Sequence, residues 1–268
     1  MKALLYALLA SVLSFSARGA EFERLLFPLV VTEHPGAYGT VWNSEFTVRN
    51  ESDTAVEIFT SECFFRCVGE CVVVVCPVRT ATPARATFAH PEDVRRHAGS
   101  TRNPATLLYV EKESAAKVFP SLRLVETTFG TSLGVEIPVV RERELFTSEL
   151  WLPDVPMTSS ARTHLRVYGV ESPSGAAVLR VRVYQGAGQD VVFDRTVSLG
   201  TDETPTPGDY DVDAPSFGFL DLNSGVAAPD VDGSVRVRVE SLTPGLKFWA
   251  MASVTHNATQ QVTIISPQ

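Results

Sequence analysis

Runs of strictly alternating apolar and charged residues constrain this chain more than any other feature. Val178-Leu-Arg180-Val181-Arg182-Val183-Tyr184 and Val235-Arg236-Val237-Arg238-Val239-Glu240 repeat with period two, as do Phe46-Thr-Val48-Arg49 and Leu165-Arg166-Val167-Tyr168. Successive side chains of an extended strand point to opposite faces, so each run offers one face to a core and the other to water. That is the pattern of antiparallel sheets. Turn signals punctuate the runs at Pro35-Gly36, Asn50-Glu-Ser-Asp53, Ser172-Pro-Ser-Gly175, Gly186-Ala-Gly188, Asp232-Gly233 and Pro244-Gly245. Many short strands with this punctuation predict an all-β fold of layered sheets.

Helix is scarce. Pro91 to Ala98 fits a short one, with Glu92 and Asp93 at its positive end, Arg95, Arg96 and His97 at its negative end, and Gly99 as a stop. A second short helix is expected over Ser114 to Val118.

A weak internal repeat divides the strands. Phe27-Pro28-Leu-Val30, then Phe46-Thr-Val48 and Val56-Glu-Ile58, matches Leu152-Pro153-Asp-Val155, then Leu165-Arg-Val167 and Val178. In both series a proline-bearing first strand suits an edge position. The expectation is two tandem immunoglobulin-like antiparallel β-sandwich domains, 21–143 and 144–268, joined near Arg141 to Phe146.

Residues 1–20 read as a signal peptide: Lys2, an apolar run from Ala3 to Phe15, then small residues up to Gly19 and Ala20. The run is shorter than the ~20 residues a bilayer-crossing helix needs. No transmembrane segment is expected in the mature chain, which is placed outside the cytoplasm, secreted or periplasmic. Cleavage takes Lys2 and Arg18 away and moves the formal charge from −8 to −10. Nucleic acid is a poor partner for such a surface.

Cys63, Cys67, Cys71 and Cys76 lie within fourteen residues. An even count in an exported chain reads as two disulfides, in any of three connectivities. Four close thiolates also suit zinc or an iron–sulfur cluster, but the spacing does not form paired Cys-x-x-Cys knuckles.

Four segments carry a resemblance to a known group. Arg102-Asn-Pro-Ala-Thr-Leu-Leu-Tyr-Val110, Gly134-Val-Glu-Ile-Pro-Val-Val-Arg-Glu142, Arg162-Thr-His-Leu-Arg-Val-Tyr168 and the closing stretch Phe248 to Gln268 resemble a group of uncharacterised secreted bacterial β-sandwich proteins. The resemblance implies export and a β-rich fold. It carries over no catalytic residue, because the group has no assigned activity.

Candidate chemistry is thin. Gly130-Thr-Ser132-Leu-Gly134 matches a nucleophile elbow, yet Val135-Glu-Ile137-Pro138 after it reads as strand where that elbow requires helix. His90 and His97 are seven apart, not the four of a helical zinc pair, and a capped short helix accounts for them. Asp209, Asp211 and Asp213 alternate as a calcium loop begins, but Ala214 and Pro215 stand where glycine should follow. Arg166, Arg180, Arg182, Arg236 and Arg238 point away from the core of their strands. In one sheet they would form a stripe for carboxylates or sulfates of an acidic polymer, or else a plain charged outer face. Trp42, Trp151 and Trp249 lie in strand-like runs and are expected in the core. Asn50-Glu-Ser52 and Asn257-Ala-Thr259 fit the glycosylation pattern.

These readings converge on a secreted, non-catalytic protein with an adhesive, binding or envelope-associated role. No cofactor is called for, and the partner is an envelope or extracellular polysaccharide or protein. The competing classes are an exported hydrolase or carbohydrate-active module, and a metal or redox role for the four cysteines.

Overall fold

The computed structural model describes residues 22–59, 64–68, 71–75, 79–89, 105–128, 134–171, 177–185, 188, 190–200, 215–225 and 233–268. The expected signal peptide, the segment His90 to His97, Ser132 and the aspartates 209, 211 and 213 lie outside them. The first half holds strands β1 (Phe22–Phe27), β2 (His34–Pro35), β3 (Val41–Asn50), β4 (Val56–Phe59), β5 (Phe64–Val68) and β6 (Cys71–Val75). It continues with β7 (Arg79–Thr82), β8 (Thr87–Ala89), β9 (Thr106–Glu111), helix α1 (Lys112–Ala115), β10 (Val118–Glu126), β11 (Gly134–Ile137) and β12 (Val140–Arg141). The second half holds β13 (Glu149–Met157), β14 (Ala161–Glu171), β15 (Ala177–Gln185), β16 (Val191–Leu199) and β17 (Ser216–Asp221). Helix α2 (Leu222–Gly225), β18 (Gly233–Ser241), β19 (Lys247–His256) and β20 (Val262–Ile265) complete it.

The protein is all-β, built of antiparallel sheets. In the second half the orders are β13-β18-β15-β16 and β17-β14-β19-β20. In the first they are β12-β1-β9-β4-β7 and β11-β10-β3-β2, with β8 also on β3. Placed side by side, β1, β9, β4 and β7 take the positions of β13, β18, β15 and β16, while β8, β3, β10 and β11 take those of β17, β14, β19 and β20. The two halves repeat one strand order, which is the weak sequence repeat in structural form. An immunoglobulin constant-type sandwich seats its first strand beside the second and its last beside the sixth. Here β13 lies beside β18, β16 beside β15 and β19 beside β14, so the first, fourth and seventh strands have changed sheets relative to that arrangement.

Besides β2 and β12, the described residues of the first half hold a hairpin without a counterpart in the second. β5 and β6 pair only with each other, Cys67 opposite Val72 and Val68 opposite Cys71, and sit in sequence between the directly paired β4 and β7. This hairpin is the cysteine excursion. Cys63 and Cys76 lie outside the described residues, as do the side chains of Cys67 and Cys71.

The alternation works as read. β15 buries Leu179, Val181 and Val183 and turns Arg180 and Arg182 outward; β18 buries Val235, Val237 and Val239 and turns Arg236 and Arg238 outward. Strand β19 departs from the rule because both of its faces are covered. Phe248, Ala250 and Ala252 join the core of the second half, while Trp249 and Met251, with Tyr168 of β14, join the core of the first. The sheet that contains β19 is therefore an inner layer shared by two apolar cores. The turn before β19 has Gly245 at φ 76°, a left-handed conformation that explains the Pro244-Gly245 signal. The expected helix over Ser114 to Val118 appears two residues earlier as α1, because Val118 already opens β10.

Polar groups join the halves beside this layer. Arg24 Nη2 donates to Glu142 Oε1 at 2.6 Å and to Glu171 Oε2 at 2.7 Å, and Lys247 Nζ lies 3.0 and 3.1 Å from the same two oxygens. Hydrogen bonding from Arg24, aided by Lys247, holds the Glu142 carboxyl down at about 2, and Glu171 is lowered by the same pair. A depressed carboxyl contributes stability above its unfolded value near 4.5 and loses it as pH falls toward 2. The melting temperature should therefore fall across that window, and Glu142→Gln should flatten the slope. An unchanged slope would show that the cluster does not link the halves.

Candidate functional site

The site begins with register. Across the outer face of β13-β18-β15-β16, Trp151, Arg238, Arg182 and Asp194 stand opposite one another in one row. Glu149, Glu240, Arg180 and Thr196 form the next row, and Arg236 faces Tyr184 in a third. Four of the five expected arginines therefore meet on one sheet face.

They do not meet as bare cations. Arg180 grips Asp194 through two hydrogen bonds of 2.8 and 2.5 Å, and Arg182 lies 3.6 Å from both Asp194 and Glu240. Arg238 Nε donates to Glu149 Oε2 at 3.0 Å and its Nη2 bonds the same oxygen. Hydrogen bonding from Arg180 holds the Asp194 carboxyl below its usual range, and Arg238 does the same to Glu149. The expected stripe is thus a charge-matched network, because like-charged neighbours in adjacent strands repel unless acids from β13, β16 and β18 stand between them.

Aromatic rings complete the face. Trp151 and Tyr184 lie with ring centroids 5.2 Å apart. The Arg236 guanidinium sits 5.6 Å from Trp151 and 5.8 Å from Tyr184 and donates to the Gly188 carbonyl. Arg238 lies 5.7 Å from the Trp151 ring, and Trp151 Nε1 donates to Glu149 at 3.3 Å. The two rings are tilted by 39° and Tyr184 is buried, so the arginines hold Trp151 as the preformed aromatic surface of this face, with hydrogen-bonding groups beside it.

The tryptophan expectation needs correction. Trp249 is buried, but Trp151 and Trp42 are half-buried, Trp42 with its Nε1 on Thr40 Oγ1 at 3.1 Å. Trp151 lies between inward Leu150 and Leu152, so parity alone puts it outside with the arginines. Tyr184 shares parity with Arg180 and Arg182 and was legible in the same way. Asn50 is also not the surface asparagine its motif suggests: it is 1 % exposed, and its Nδ2 donates to the carbonyls of Thr54, Thr82 and Pro83.

Arg166 is the arginine that does not join. It stands on β14, in the other sheet, opposite Phe219 of β17 and Met251 of β19. Among the described residues no group of three or more His, Cys, Asp and Glu side chains is gathered as a metal site, and no helix is long and apolar enough to cross a membrane. Compared with known proteins, the chain matches no family model, no curated protein and no solved structure.

Proposed function

We propose that this is a secreted, non-catalytic binding protein that holds a polysaccharide of the cell envelope or its surroundings on the outer face of β13-β18-β15-β16. The observation that carries the reading is the half-buried Trp151, with the guanidinium groups of Arg236 and Arg238 and the buried Tyr184 ring packed against it, beside ion-paired carboxylates. Flat aromatic surfaces suit the apolar faces of sugar rings, and the flanking charges suit their hydroxyls. The carboxylates of this face, Glu149, Asp194 and Glu240, are all within ion-pair distance of its arginines, an arrangement that suits holding a ligand more than donating a proton to one. The frame belongs to the proposal as well: two tandem sandwich domains of immunoglobulin-like kind, 21–143 and 144–268, supported by the repeated strand order.

Envelope polysaccharide from the native cell is the test. Purified protein should sediment with it, and Trp151→Ala combined with Tyr184→Ala should weaken binding tenfold or more, as loss of a ~2 kcal/mol aromatic anchor does. Equal sedimentation of the double variant, or reducing ends released from the polysaccharide, would overturn the reading.

A further inference from the structure

Unlike Arg180, Arg182 and Arg238, Arg166 has no acid partner among the described residues. No hydrogen bond or ion pair from its guanidinium is present among the described residues, and its buried Nε has no acceptor. Its one described contact is with the ring of Phe219, 5.3 Å away. His164, two residues along the same face, lies against that ring with centroids 4.9 Å apart. Arg162, two residues further, sits 5.9 Å from the ring of Tyr38 and donates to Gln260 Oε1 at 3.0 Å. Phe219 is 47 % exposed and Tyr38 73 %, and both are among the few large apolar side chains left in solvent.

The charge around this patch is one-sided. Among the described residues the charged groups acting on His164 are the guanidinium groups of Arg162 and Arg166 and the carboxylate of Asp221, which stands opposite His164 and accepts from the Asn223 backbone N–H at 2.9 Å. Burial and the neighbouring arginines lower the His164 pKa, so the imidazole is neutral at pH 7 and adds a donor without adding charge. A guanidinium that has surrendered water at Nε without gaining an acceptor is a costly group to maintain. A carboxylate held by the other nitrogens of the guanidinium would offset that cost.

We propose that Arg166, with His164 and Arg162, forms a second site that takes the carboxylate of a uronic-acid unit, whose ring lies on the exposed side of Phe219. The planar fork of arginine matches a carboxylate, and the ring beside it gives the sugar body a surface. This face belongs to the sheet opposite the one that bears Trp151, so the two sites are separate.

The probe is an oligogalacturonate, with an uncharged oligogalactan as control. Binding to the full chain should be saturable and weakened by salt, and the oligogalactan should bind at least tenfold less. Arg166→Gln should lower oligogalacturonate affinity tenfold or more, with Arg166→Lys in between. Trp151→Ala should leave it unchanged, which separates this site from the face proposed above. In the unmutated protein, bound oligogalacturonate should raise the pKa of the His164 imidazole, read from its NMR titration, and this readout does not depend on any variant folding. An unmoved His164 titration, equal binding of the uncharged control, or full affinity in Arg166→Gln would each overturn the site.

Discussion

Trp249→Ala is expected to destabilise the protein by about 3–5 kcal/mol, the usual cost of truncating a buried tryptophan. The residue is 4 % exposed and stacks on Tyr168 at 6.2 Å, whose own ring meets Phe217 at 5.4 Å. It occupies the side of β19 that completes the core of the first half, while Phe248 and Ala250 on either side of it complete the other. At about 2–4 °C per kcal/mol for a chain of this size, the melting temperature should fall by about 6–20 °C. The form of the transition should change too. The unmutated chain should melt in one step because the inner layer belongs to both cores, and Trp249→Ala should split that step in two. A loss under about 1 kcal/mol, or a split already present without the substitution, would show that the halves fold independently.

The second large effect concerns Arg141. Its Nη1 donates to Glu23 Oε2 at 2.8 Å and to the Ala115 carbonyl at 3.0 Å, and its Nη2 donates to the Val118 carbonyl at 2.5 Å. The side chains of Glu23 and Arg141 are only 9 % and 12 % exposed. Arg141→Met leaves Glu23 only the exposed Arg143, 3.5 Å away, and removes the donor from two carbonyls around the end of α1. Glu23→Leu strands a guanidinium. Each should cost about 3–5 kcal/mol, because an unpaired charge in such a place is expensive. The double variant should recover a large part of this, since two apolar side chains leave nothing charged behind. Urea denaturation of the three variants measures the cycle. Additive losses would mean that the two charges do not act as a pair.

How far the chain could be read from its residues follows from what period two encodes. It tells which side of its own sheet a residue takes, and on that point Arg180, Arg182, Arg236 and Arg238 were legible. It says nothing about which sheet a strand joins. Arg166 has the right parity and the wrong neighbours, because β14 pairs with β17 and β19 rather than with β15 or β18. The neutralising acids escaped for a related reason: Asp194, Glu149 and Glu240 reach the arginines only through the registers of three strand pairs. Trp151 was misplaced because its type was weighed above its position between Leu150 and Leu152. Strand β19 lacked alternation altogether, since a strand apolar on both sides carries no periodic mark, and only the coordinates show what covers each side.

The matching strand order gives the hairpin β5–β6 a wider meaning. It occupies the junction that the second half closes with five residues between Gln185 and Val191, where the Gln185 N–H meets the Asp190 carbonyl at 3.2 Å. Of two equivalent connections, one carries a hairpin and the other does not, and the flanking strands pair directly in both. Entropy charges little for lengthening a surface connection between strands already held together. The connection from Gln185 to Val191 is therefore a natural graft point, where an epitope or a transplanted copy of the cysteine arm would ride between strands whose counterparts in the first half flank such a hairpin.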